Sequence, residues 1–289
     1  MPLRHLLLAL AVVAVWGTNF VVIKSALGTL PPLLLACLRF AFAFAPAALF
    51  VARPATSWRT LSAYGVLIGA GQFGLMFVAM RADITPGLTS LVAQTQVFFT
   101  IGLAMALAGE RVRGSQVFAL VLAAGGLLLI ALNTDASTTP LGLALVLLSA
   151  LCWAAGNMVA KQAGRVNMLG FMVWSSLFAA PPLLLLSLWF EGPQAIVQGL
   201  AAAGSGVWAA VLWQSAGNAL FGYGVWAWLL VRHPAATVAP MALLVPVFGM
   251  GASAVMLGEA LPMWKLGAAA LVMAGLALNL LWPMVVSRK

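Results

Sequence analysis

Long apolar runs follow one another along nearly the whole chain, and no other feature limits the fold so strongly. In hydrocarbon a backbone N–H or C=O finds no water, so a run of about 20 apolar residues crosses as a helix that satisfies its own backbone. Ten such runs are read, at 5–27, 31–51, 60–80, 86–108, 115–132, 140–162, 168–190, 203–230, 235–257 and 263–285. Pro31-Pro32, Pro54, Pro86, the stretch from Asn133 to Pro140, Gly192-Pro193 and His233-Pro234 punctuate them. The runs are too long for strands and lack the alternation of a membrane barrel. Only 7% of the 289 residues are charged, against about a quarter in a soluble domain. The expected fold class is therefore an all-α membrane protein with about ten transmembrane helices. The opening "MPLRHLLLALAVVAV" has the look of a signal peptide, but its run continues to Ile23 and is read as an uncleaved first span.

Ten spans place both termini on one side. Arg4, Arg53, Arg59, Arg111, Arg113, Lys161, Arg165, Arg232, Arg288 and Lys289 then share that side. Arg81 and Lys265 fall opposite, with Asp83, Asp135, Glu191 and Glu259, while Glu110 lies with the basic residues. Lys/Arg asymmetry sets orientation, so both termini are expected in the cytoplasm of a bacterial inner membrane. The formal net charge of +9 is thereby explained by orientation, and no nucleic-acid partner is implied.

The two halves resemble each other. "WGTNFVVIK" (16–24) matches "WAAGNMVAK" (153–161), and "AGQFG" (70–74) matches "AGNAL" (216–220), setting Gln72 against Asn218. "QVFFTIGLAMALAGERV" (96–112) matches "PVFGMGASAVMLGEAL" (246–261) in the same order. Five spans per half is an odd number, so equivalent helices run in opposite directions. This is a 5+5 inverted repeat around a central cavity, an architecture of many secondary transporters. The repeats are bounded at 1–137 and 138–289.

Ten spans, the repeat, the "LAGERV" and "LGEAL" ends of helices 4 and 9, and "PVFG" in helix 9 resemble the drug/metabolite transporter superfamily, EamA type. The resemblance covers essentially the whole chain and is greatest to bacterial exporters of aromatic and neutral amino acids. It implies alternating-access export of an amino acid or other small zwitterion, another metabolite or a drug being the alternative. The chain departs from the pattern at Gln96, where a proline equivalent to Pro246 is usual; helix 4 is expected to be straighter than helix 9.

Polar groups inside spans cost free energy unless paired or facing a wet cavity. Those deep in the runs are Asn19, Arg39, Gln72, Gln94, Thr95, Gln96, Asn157, Gln214 and Asn218, with Lys24 nearer an interface. Trp16 and Asn19 are three apart, and Trp153 and Asn157 four apart, so each pair shares a helix face. Trp16, Asn19, Arg39, Gln72, Gln96, Trp153, Asn157, Trp213, Gln214 and Asn218 are the candidate substrate-binding residues. Interhelical hydrogen bonding is the competing role for the amides. Arg39 admits three roles: attracting a substrate carboxylate, bonding exposed carbonyls, or pairing at a gate with Asp83 or Glu259. Trp58, Trp189, Trp264 and Trp282 lie near span ends and suit an interfacial belt.

No Asp or Glu falls in the middle of a run, so strict proton coupling and cationic substrates are not expected. Histidines number two and cysteines two, without metal-ligand spacing. No G-x-S-x-G and no phosphate loop occurs, so the chain is read as neither an enzyme nor an ATP-driven pump, and no cofactor is implied. A channel would call for a ring of like charges or a carbonyl filter, and neither is evident. Gly69, Gly71 and Gly74, matched by Gly217, Gly222 and Gly224, permit bending that would place moving parts in helices 3 and 8, close packing being the alternative role. Helices 5 and 10 carry few polar groups and are expected to stand outside the pathway, as support or as a homodimer contact.

Overall fold

The computed structural model describes residues 1–108, 114–164 and 166–286; Glu110, Arg111, Arg113, Arg165, Arg288 and Lys289 lie outside the described residues. The described chain folds as ten long helices: α1 Leu3–Leu27, α2 Pro32–Leu49, α3 Trp58–Ala82, α4 Pro86–Ala106, α5 Gly114–Leu132, α6 Pro140–Gln162, α7 Met168–Ala202, α8 Ser205–Arg232, α9 Ala239–Leu257 and α10 Met263–Val286. All but α8 are both long and apolar enough to cross a membrane by composition. α8 falls short because Trp213, Gln214, Ser215, Asn218 and Tyr223 interrupt its apolar sequence.

Eight of these helices form a closed ring. Its order is α1, α9, α4, α6, α3, α7, α2, α8 and back to α1. Neighbours in the ring always come from opposite halves of the chain. Exchanging each helix for its equivalent (α1 for α6, α2 for α7, α3 for α8, α4 for α9) returns the same ring read in reverse. An inverted repeat requires that relation. The two halves are therefore interleaved rather than set side by side.

α5 and α10 stand outside the ring and pack on each other. Their seam is small-residue packing: a Cβ on Gly126 would meet Val272 Cγ2 at 2.7 Å, and one on Gly275 would meet the Ala119 carbonyl oxygen at 2.6 Å. α5 and α10 thus use one face of each against the other. Phe118, Val121 and Leu128 of α5 remain exposed to the surroundings.

The irregular backbone repeats as well. π-helix occupies Leu67–Gly74 in α3 and Trp213–Phe221 in α8, and each stretch contains its half's copy of the matched "AGQFG"/"AGNAL" segment. Tight 3₁₀ turns occupy Ala93–Thr95 in α4 and Ala239–Leu244 in α9. The interruption in α4, which has Gln96 in place of the proline, is the shorter of the two. Mid-helix π and 3₁₀ segments often mark functional positions.

α7 extends beyond the expected 168–190. Gly192 has φ 83°, the left-handed region open mainly to glycine, and the chain turns there into a further helical stretch, Gly192–Ala202. Trp189 and Phe190 before the turn are 84% and 74% exposed, as suits a membrane interface.

α3 crosses α7 at a glycine. A Cβ on Gly69 would sit 2.5 Å from Ala179 Cβ, whereas one on Gly206 would meet nothing within 4 Å. Replacing Gly69 with Val is expected to cost about 1–3 kcal/mol through overpacking. Gly206→Ala should leave stability within about 0.5 kcal/mol. Melting curves of the purified variants would check both.

Candidate functional site

Two clusters of hydrogen-bonded polar side chains lie inside the bundle, one on each side of the ring. The larger lies where α1, α2 and α8 meet. Asn19 donates from Nδ2 to Gln214 Oε1 (3.2 Å), and Trp16 donates from Nε1 to the Asn218 carbonyl (3.2 Å). Arg39 donates from Nη2 to Asn218 Oδ1 (3.1 Å), and Ser215 donates to the Arg39 carbonyl (2.9 Å). Close approach of α1 to α8 needs Gly222, since a Cβ there would strike the Trp16 indole. Trp16 also packs against Tyr223 and Trp226 at centroid distances of 5.6 and 5.1 Å.

The smaller cluster joins α4 to α6. Asn157 donates from Nδ2 to Gln96 Oε1 (3.0 Å), with Thr100 Oγ1 at 3.4 Å. The repeat is broken here. Asn19 bonds instead to α8, and the position matched to Gln96 in the second half is Pro246, which has no side-chain amide. Gln96 supplies its own to Asn157.

Arg39 is 1% exposed. Its Cζ lies 3.5 Å from the Phe73 ring centroid and 5.1 Å from that of Phe40, so the guanidinium is held between aromatic faces. Nε and Nη1 have no hydrogen-bond partner among the described residues. Asp83 and Glu259, considered as gate partners for it, are engaged elsewhere. Arg39 instead lines an internal cavity with Phe40, Tyr64, Phe73 and Tyr223, and with Ser175 and Ser176 of α7. The cavity measures about 10 Å³, room for one water molecule. Anything the size of an amino acid enters only when ring helices separate.

Of the candidate residues, Trp16, Asn19, Arg39, Gln214 and Asn218 come together in one cluster, and Gln96 and Asn157 in the other. Gln72 is buried, with Oε1 unpartnered. Trp153 packs against the main apolar core. Trp213 is 39% exposed and joins neither cluster. Tyr64, Tyr223, Phe40, Phe73, Ser175 and Ser176 were not singled out as binding residues. The sequence signal available for the tyrosines was scarcity, since the chain has only two.

The ends of the ring are closed by different means. On the face away from the termini, carboxylates of the second half cap helices of the first. Glu191 accepts from the Leu33 and Leu34 backbone N–H groups (2.6 and 3.1 Å) at the start of α2. Glu259 accepts from Thr85 Oγ1 (2.5 Å) and Gly87 N (3.0 Å) at the start of α4, from Ser253, and from Lys265 Nζ (3.0 Å). Negative charge at a helix N-terminus is favourable twice over, through the orphan N–H groups and the helix dipole. Asp83 accepts from Thr139 (3.0 Å) at the start of α6. Lys24 caps the C-terminal end of α3, donating to the Met80 and Arg81 carbonyls (2.8 and 3.0 Å). On the termini face, His5 Nδ1 and His233 Nε2 lie 2.7 Å apart, and Trp174 donates to the Val51 carbonyl (2.9 Å).

Burial alone would raise the Glu259 carboxyl, but the hydrogen bonds from Ser253, Thr85 and Lys265 outweigh it and hold it below its ordinary value of 4.5. A depressed carboxyl contributes stability at pH above its unfolded value and loses it as pH falls through the folded one. The melting temperature is therefore expected to decline on acidification below about pH 4.5. Glu259→Gln should be less stable at pH 7 and less sensitive to acid; equal acid sensitivity in both proteins would show that the cap is not the titrating element.

The sequence profile of the EamA-like transporter family matches this chain twice, over residues 3–132 and 140–281. A "Probable amino-acid metabolite efflux pump" of Salmonella typhimurium is 41% identical over 278 residues, covering 94% of this chain and 93% of that protein. A protein of Escherichia coli with the same description is 38% identical, covering 94% and 93%. A solved crystal structure superposes with a TM-score of 0.63 at 20% identity, over 96% of both chains, a likeness of fold alone.

Proposed function

The chain belongs to the EamA-like transporter family, and on that premise we propose that it exports neutral or aromatic amino acids, or molecules derived from them, by alternating access. Arg39 is the observation that carries this reading. A guanidinium in the bundle interior, lining a cavity, with two unpartnered nitrogens, is placed to receive a carboxylate. The cavity lies between α2, α3, α7 and α8, two helices from each half, where relative motion of the halves changes its size most.

In this reading the repeats 1–137 and 138–289 move against each other in the bacterial inner membrane, with both termini in the cytoplasm. The Glu191 and Glu259 caps hold the outward face shut. Breaking them costs N-terminal hydrogen bonds on α2 and α4, which an occupied Arg39 site would offset. The irregular stretches of α3 and α8 flank the cavity and give the two halves matching points of flexure. No carboxylate sits in mid-span to relay a proton, so export runs down the substrate's own gradient.

Counterflow of labelled phenylalanine in proteoliposomes, with equal pH on both sides, tests the reading. Saturable exchange is expected in the wild type. Arg39→Gln should weaken apparent affinity more than tenfold, as loss of about 2–5 kcal/mol from a buried charge contact implies. Strict dependence on a pH gradient, or unchanged affinity in Arg39→Gln, would overturn it.

A further inference from the structure

We propose that the Arg39 site prefers monoanionic carboxylates, meaning apolar or aromatic amino acids whose amine is acylated or removed, over free zwitterionic amino acids. The inference rests on the export reading above and names the substrate class of the same site.

The reason is charge balance. The chain has five acidic residues. Asp83, Asp135, Glu191 and Glu259 lie at the face away from the termini, and Glu110 follows the end of the fourth apolar run. None of the four described acidic residues lines the cavity. Arg39 is thus a buried cation whose one side-chain hydrogen bond is to a neutral amide, with aromatic faces about it. A bound monoanion makes the closed site neutral. A bound zwitterion leaves the net positive charge where it was and adds an ammonium with no counter-ion, which a low-dielectric interior penalises heavily.

The hydroxyls point the same way. Ser175 and Ser176 already donate to the Phe171 and Met172 carbonyls (2.6 and 2.9 Å), so they offer only lone pairs to the cavity. A neutral amide N–H, as in an N-acyl amino acid, needs one such acceptor. An ammonium needs three. Phe40, Phe73, Tyr64 and Tyr223 supply an apolar wall for the remainder of the ligand.

The test is a ligand series on the purified full-length protein, read as midpoint shifts in thermal melts. The probes are N-acetylphenylalanine, 3-phenylpropionate, phenylalanine and phenethylamine. The first two are expected to shift the midpoint at concentrations at least tenfold below those phenylalanine requires, and phenethylamine should give no shift. Arg39→Gln should abolish the order. Asn218→Asp places a carboxylate within 3.1 Å of the guanidinium with little change of shape, and should remove or reverse the preference for the monoanions. Phenylalanine binding as well as or better than N-acetylphenylalanine would overturn the inference while leaving the export reading standing. Persistence of the order in Asn218→Asp would do the same. No shift with any of the four would overturn both.

Discussion

A polar group inside hydrocarbon can bond only to protein, and this bundle meets that constraint at the junctions between its two halves. Asn19 reaches Gln214, Arg39 reaches Asn218, and Asn157 reaches Gln96, each across from one repeat to the other. Because ring neighbours alternate between halves, nearly every interhelical polar contact is also a contact between repeats. Sliding one half past the other therefore acts directly on the buried amides. They cannot fall back on water, so intermediate positions are costly and a small number of discrete arrangements is favoured.

The two faces use different chemistry for closure. Carboxylates on helix N-termini make the face away from the termini a set of directional, charge-assisted bonds. The termini face relies on a histidine pair and on aromatic contacts, among them Trp58 edge-on to Trp174 and the Arg53 guanidinium over Trp58. Aromatic contacts tolerate sliding, whereas a bidentate cap is either made or lost. The asymmetry follows from placement: the four acidic residues described all lie on one face.

Much of this was legible in the sequence. The apolar runs gave the spans, and the matched segments gave the repeat. Asn19 and Gln214 or Arg39 and Asn218 could be nominated singly, because each is costly in hydrocarbon alone. Their pairing could not, since helical spacing tells which residues share a face and says nothing of which helix that face meets. The same limit hid Tyr64, Ser175 and Ser176, whose types are unremarkable in a span. Trp213 shows the converse: its residue type suggested a lining role, yet it is 39% exposed. The 3₁₀ turn at Ala93–Thr95 has no proline to announce it in the sequence.

A π-helical stretch is what an α-helix becomes when it accommodates one residue too many. Each residue of an α-helix advances the face by about 100°. Everything beyond Phe221 in α8 is thus turned relative to an uninterrupted helix, and this turn aims Tyr223 and Trp226 at Trp16. A one-residue deletion within Trp213–Phe221 would re-index the second part of α8 and present a different set of side chains to the chamber, leaving the other nine helices untouched. Relatives with altered ligand tastes could arise by such shortening as readily as by exchange of side chains.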